Sequence, residues 1–217
     1  YFHENKNLKD SDEMIEFIKM KKNDSFSSSK WFFIDRYKIH NFEKERLKND
    51  LNEEYDNCKF FEHDIYLRIE SNDIVVDVGA GIGFFERYCH LKKASKIICF
   101  EPDKDKFELL KLNVDKNSVL FNSDLTIEYT IDYLFGSGLI DKIDILKIDD
   151  FQKEEIILNG INDSNLQKIK NISIKWYNFN EIEENKKNEI VNFYLMRGFN
   201  CWVNIEYNLS KLYFYKK

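Results

Sequence analysis

From residue 73 onward, short apolar runs rich in β-branched side chains alternate with longer stretches whose apolar positions recur every three or four residues. The runs are Ile74-Val75-Val76, Ile97-Ile98-Cys99-Phe100, Val119-Leu120-Phe121, Ile143 to Ile148 and Ile172-Ser173-Ile174. That alternation predicts an α/β domain in which helices cover a parallel sheet. A helix is expected to begin near Phe84. Between the second and third runs, Asp103 to Val114 sets Phe107, Leu110 and Val114 on one helical face, which predicts a crossover helix. Glu181 to Arg197 predicts another, with Ile190, Phe193 and Tyr194 on its apolar side, solvated charged first turns, and Gly198 as a left-handed cap. Phe199 to Val203 and Leu209 to Tyr215 are strand-like and flank the polar stretch 204–208, which predicts a closing antiparallel hairpin.

Residues 1–70 differ from the rest. They are glycine-free and rich in lysine and asparagine, with helical periodicity at Met14-Ile15-Phe17-Ile18 and from Phe42 to Tyr55. The expected organisation is therefore a helical N-terminal extension over 1–70 and a main domain over 71–217. The aromatic group Trp31-Phe32-Phe33-Tyr37 fits ordinary packing within the extension, or the floor of a sugar-binding cleft.

With 217 residues and 43 % hydrophobic content, the chain can bury a substantial core. Its formal charge is −6 and its basic residues are interspersed with acidic ones, so no nucleic-acid partner is expected. Cys58, Cys89, Cys99 and Cys201 stand far apart, and neither they nor His3, His40, His63 and His90 adopt a metal-ligand spacing, so no disulfide or metal framework is expected from them, although Asp149 and Asp150 could contribute carboxylates to an assisting metal. No run reaches the roughly 20 apolar residues of a membrane span, and Tyr1-Phe2-His3-Glu4 does not begin a signal peptide. A cytoplasmic location is the expectation, with the chain open to being part of a larger multidomain protein because it does not start with methionine.

Three of the seven glycines fall within Asp77-Val78-Gly79-Ala80-Gly81-Ile82-Gly83, directly after the first apolar run. Glycine permits positive φ and close backbone approach, and the helix that follows points free N–H groups at the same spot. A dinucleotide-binding G-x-G-x-x-G would need glycine at Phe84, so the third glycine comes one residue early. The second run ends Cys99-Phe100-Glu101-Pro102-Asp103, putting a carboxylate at the neighbouring strand's C-terminal edge, where Glu101 can accept both hydroxyls of a ribose. A tight strand-to-helix turn without ligand is the alternative.

The glycine spacing, with Asp77 ahead of it, is similar to the signature of class I methyltransferases, and a parallel sheet closed by an antiparallel pair resembles their topology. More specifically, Asp73 to Phe85, Phe100-Glu101-Pro102-Asp103, Thr130-Ile131-Asp132-Tyr133-Leu134, Ile145-Leu146-Lys147-Ile148-Asp149 and Ile157-Leu158-Asn159-Gly160 resemble the FkbM family of methyltransferases over roughly residues 60–217. The resemblance implies a Rossmann-like, mostly parallel seven-stranded sheet and S-adenosylmethionine as cofactor. It also implies O-methylation of a hydroxylated, sugar-containing acceptor. Asp77 would lie near the ligand's amino group, the turn of Gly79, Ala80, Gly81, Gly83 and Phe84 beside its carboxylate end, and Glu101 with Pro102 at its ribose. Asn122 would lie at the adenine. Where the family continues with glutamate-glycine-alanine-glutamate, this chain has Phe151-Gln152-Lys153-Glu154, and Lys175-Trp176-Tyr177 replaces an acid and a histidine.

Deprotonating a hydroxyl calls for a base. Asp149 at the end of the fourth run is the first candidate, Glu154 the second, with Lys147 two residues before Asp149 on the same side of the strand. Each also has a plainer role: Asp149 capping a helix that starts near Gln152, Glu154 a solvated first-turn acid, Lys147 their ion-pair partner. Asp132 is expected to brace the loop before the fourth run. The altered motifs leave a binding module without transferase activity as a rival reading, and an RNA methyltransferase as a further one.

Overall fold

The computed structural model of the chain describes residues 68–114, 118–123, 130–150, 153–177, 180–206 and 209–216. The helical extension expected over 1–70, with its aromatic group, lies outside these residues apart from 68–70, as do Phe151 and Gln152.

Along the described chain the elements are β1 (Ile74–Val78), α1 (Phe84–Leu91), β2 (Lys96–Phe100), α2 (Lys104–Asn113), β3 (Ser118–Phe121), α3 (Ile131–Gly136) and β4 (Ile143–Ile148). There follow α4 (Glu154–Asn159), α5 (Asp163–Leu166), β5 (Ile169–Tyr177), α6 (Glu181–Met196), β6 (Asn200–Glu206) and β7 (Leu209–Tyr215). The strands form one seven-stranded sheet in the order β3-β2-β1-β4-β5-β7-β6. β1 to β5 pair in parallel, and β7 runs antiparallel to both β5 and β6.

This order decides which face each helix covers. The chain steps outward from β1 to β3, then returns to β4 and steps the other way; because crossovers are right-handed, α1 and α2 lie on one face and the later helices on the other. Alternation along the strands supplies both cores. Val76, Val78, Ile98, Phe100, Leu146, Ile148, Ile172 and Ile174 meet Leu134 of α3, Ile157 and Leu158 of α4 and Tyr194 of α6. The intervening positions Val75, Ile97 and Ile145 are equally buried, as are Phe85 and Cys89 of α1 and Leu109 and Leu110 of α2.

Several local outcomes differ from the pattern. In α2 the buried pair is Leu109 and Leu110, so Leu110 of the expected face is buried while Phe107 and Val114 are half-buried. The fifth strand extends beyond Ile172–Ile174 to Tyr177, carrying Lys175 and Trp176 into the sheet, where Trp176 donates from Nε1 to the Glu183 carbonyl (3.2 Å). The start of α6 is not wholly solvated: Lys187 is buried and ion-paired with Glu184. Gly198 does adopt positive φ (87°) after α6. Among the described residues no helix is long and apolar enough to cross a membrane.

Candidate active site

The site lies at the C-terminal ends of β1, β2 and β4, next to the point where the strand order reverses, the position at which open α/β sheets bind ligands. Gly79, Gly81 and Gly83 all have positive φ (80°, 59° and 96°), a conformation that L side chains rarely adopt. Gly79 has a second constraint: a Cβ there would fall 2.1 Å from the backbone oxygen of Asp149. The glycine turn is thus pressed against the end of β4.

Its amides are anchored to β2. Gly79 and Ala80 both donate to the Phe100 carbonyl (2.9 and 3.0 Å), and Gly83 closes the turn on Ala80 (3.2 Å). Gly81 donates to Glu101 Oε2 at 2.7 Å, while Asp103 N–H donates to Oε1 at 2.8 Å. Glu101 is 5 % exposed, and burial pushes its pKa up to about 7 against the opposing pull of those two backbone donors. Each oxygen keeps a lone pair for a hydroxyl donor. No side chain caps the start of α1, which Phe84 opens, so its positive end is available to an anion. A buried carboxylate flanked by a bare turn and an uncapped helix start suits a nucleoside that carries a carboxylate.

Pro102 is exposed and precedes Asp103, which caps α2 through its side chain. Asn122 lies beside the same strand end, donating from Nδ2 to the Glu101 carbonyl (2.9 Å).

Beneath the turn runs a row of polar groups that strand register creates. Cys99, Asp77, Lys147 and Ser173 are register neighbours on adjacent parallel strands and therefore share a face. Lys147 Nζ donates to Asp77 Oδ1 at 2.7 Å, and Asp77 is fully enclosed. Burial presses Lys147 to lose its proton, but the charges of Asp77 and Asp149 and the Asp77 hydrogen bond outweigh that and hold its pKa above the ordinary lysine range. Lys147 thus pairs with Asp77, not with Asp149 or Glu154. Its position two residues from Asp149 made the nearer acid the expected partner; strand pairing brings β1 closer.

On the acceptor side, Lys175 Nζ stands 3.7 Å from Asp149 Oδ2. Burial pushes the Asp149 carboxyl upward, with Lys147 opposing. Asp149 does not cap α4, which starts at Glu154 after Lys153 and has no side-chain cap. Glu154 is buried, not solvated; burial, opposed by its own N–H and reinforced by Asp150, Asp149 and Glu183, raises it to about 7. Tyr177 faces the same acids, and burial followed by the charges of Asp149 and Glu154 pushes its phenol upward. Asp132 stands apart: it binds Asn162 and Asn165, bracing the loop before β5 instead of the one before β4. Among the described residues no group of three or more His, Cys, Asp or Glu is arranged to hold a metal.

Glu86, on the buried face of α1, is a polar member of this centre that motif reading passes over. The signal was present, since Ile82, Phe85, Glu86 and Cys89 follow the i, i+3, i+4, i+7 spacing of a core stripe.

The fold and the glycine turn together define the class I methyltransferase fold. No family model matches the chain, and no curated protein is significantly similar to it. Solved structures do match. A precorrin-6y C5,15-methyltransferase from Geobacter metallireducens shares 16 % identity over 70 % of this chain and 83 % of its own (TM-score 0.50). A putative rRNA methylase from Clostridium thermocellum shares 12 % over 77 % and 97 % (TM-score 0.50). A chain of the fibrillarin/Nop5p complex shares 16 % over 74 % and 79 % (TM-score 0.52). At these identities the likeness is one of fold.

Proposed function

We propose that the chain is an S-adenosylmethionine-dependent O-methyltransferase acting in the cytoplasm on a hydroxyl of a glycan or glycosylated metabolite. The observation that carries this reading is Glu101, a buried carboxylate fixed by the Gly81 amide at 2.7 Å in a glycine turn that packs on the backbone of the acid Asp149. The cofactor supplies an electrophilic methyl group on a sulfonium. Glu101 would hold the ribose hydroxyls, the start of α1 would receive the amino-acid carboxylate, and Asn122 would lie at the adenine.

Holding an acceptor oxygen in line at near-attack distance is worth on the order of 7 to 11 kcal/mol. Asp149 takes the proton from that hydroxyl, a contribution of roughly 10²- to 10⁴-fold. Its raised pKa suits the task, because a base titrating nearer neutrality is a stronger proton acceptor. Glu154 is the second carboxyl within this half, and Lys175 stands beside Asp149 at 3.7 Å, while Lys147 acts on it through its charge alone. The sugar acceptor follows from the FkbM resemblance. Related folds serve RNA, precorrin and other acceptors, and fold does not set the acceptor; the formal charge of −6 weighs against RNA.

The Lys175 ammonium beside Asp149 also supports a second reading, a nucleoside-binding module whose base is neutralised by an ion pair. Transfer of radiolabelled methyl from S-adenosylmethionine to a panel of glycans separates the two. Transfer that Asp149→Ala abolishes supports the enzyme; cofactor binding with no transfer to any acceptor supports the module.

A further inference from the structure

Three carboxyl oxygens at the centre of the domain are buried without a hydrogen-bond partner: Asp77 Oδ2 and both oxygens of Glu86. Both residues are fully enclosed. Two ionised carboxylates in contact would leave all three oxygens unsatisfied and place two negative charges against one ammonium, whose field Asp149 also draws upon. One proton between them removes both problems, because a protonated carboxyl is a donor.

The neighbours decide which acid holds it. Asp77 on β1 already has Lys147 of β4 on Oδ1 at 2.7 Å, which favours its charged form. Glu86 on α1 meets Asp77, the thiol of Cys99 on β2, and Lys147 only at longer range. Cys89, on its own helix, adds no cation. We propose that Glu86 is a positioning residue carrying the proton of a buried carboxyl–carboxylate pair: it donates to Asp77 Oδ2 while Lys147 holds Oδ1, clamping the acid under the glycine turn from both sides. Its electrostatics agree, since burial, then the Asp77 charge and the hydrogen bond to Asp77, push the Glu86 carboxyl well above its ordinary range, with Lys147 opposing.

The consequence for the cofactor site rests on the functional reading above. Loss of the Glu86 proton sets two charges against each other at the root of the turn and weakens ligand binding at alkaline pH. The sign for stability is the same: the folded-state pKa is raised, so the contribution is complete below the ordinary carboxyl range and is lost as pH rises through the folded value.

The test is a carbon-13 titration of the glutamate side-chain carboxyls in the whole chain, with Glu86→Gln identifying the resonance, or through-bond assignment of the wild type if that variant does not fold. The Glu86 carbon is expected at its protonated shift at neutral pH; a carboxylate shift there, or titration in the ordinary range, overturns the proposal. Calorimetry with S-adenosylhomocysteine supplies the functional readout. Glu86→Gln, which keeps a donor for Asp77, is expected to retain binding and to lose the alkaline decline, and an unchanged decline contradicts the clamp. Absence of binding by the wild type would instead count against the cofactor reading, while the carbon-13 titration would still decide the state of Glu86.

Discussion

The two halves of the site are built from different materials. On the β1–β2 side the geometry is made by backbone: positive-φ glycines, amides donated to Phe100 and Glu101, and an uncapped helix start. On the β4–β5 side it is made by side chains: Lys175 is ion-paired with Asp149, burial and the charge of Asp149 raise Glu154, and burial and the charges of both acids raise the Tyr177 phenol. Backbone architecture tolerates almost no substitution because it depends on the absence of a side chain. A cluster of coupled side chains can be rearranged without displacing the backbone around it.

The largest effect that would expose this contrast is expected from Gly79→Ala. Its methyl must occupy space 2.1 Å from the Asp149 backbone oxygen at a φ of 80°, and neither backbone can yield. Strain and overpacking together should cost roughly 3 kcal/mol or more in urea unfolding, with loss of cofactor binding. A change within 1 kcal/mol would mean the turn is not braced against β4.

Asp149→Ala should act oppositely, lowering turnover by roughly 10²- to 10⁴-fold while leaving affinity for S-adenosylhomocysteine within a few-fold. Equal losses in both would merge the two halves and remove the distinction.

Glu101→Ala should weaken S-adenosylhomocysteine binding by roughly 10- to 150-fold, corresponding to about 1.5–3 kcal/mol for hydrogen bonds to a charged group. The same carboxyl sets a pH dependence. Its pKa of about 7 in the folded chain means its contribution to stability is complete below the ordinary carboxyl range and is lost as pH rises through about 7. Binding runs the other way, because accepting two ribose hydroxyls favours the ionised form: affinity should rise roughly tenfold between about pH 6 and pH 8. Calorimetry across that range should show the rise in wild type and a flat profile in Glu101→Ala.

Asp132→Ala is the smallest expected change. It removes the brace to Asn162 and Asn165 on the far side of the sheet, and should cost about 1 kcal/mol in thermal unfolding without altering cofactor affinity. A drop in affinity would show that the cofactor half is not autonomous.

The same division explains what could be read without coordinates. Glycine spacing, an acid at the end of the second run and the 2- and 3.6-residue periods are local signals, so the sheet, the crossover helices and the place of Glu101 were legible. Pairings across strands were not. That Lys147 serves Asp77, seventy residues away, follows from parallel register, which no short-range pattern encodes. Glu154 resembled a solvated helix-start acid because its burial depends on how α4 packs over the sheet. Glu86 belongs to no glycine or strand-end motif, and only its place in the apolar stripe of α1 marks it as a buried charge needing a partner.

The most direct measurement is calorimetric titration of the intact chain with S-adenosylhomocysteine, alongside a folded Gly81→Arg variant whose side chain fills the turn. The account predicts saturable one-to-one binding by the wild type and none by the variant. Absence of binding by the wild type, or equal binding by both, would contradict it.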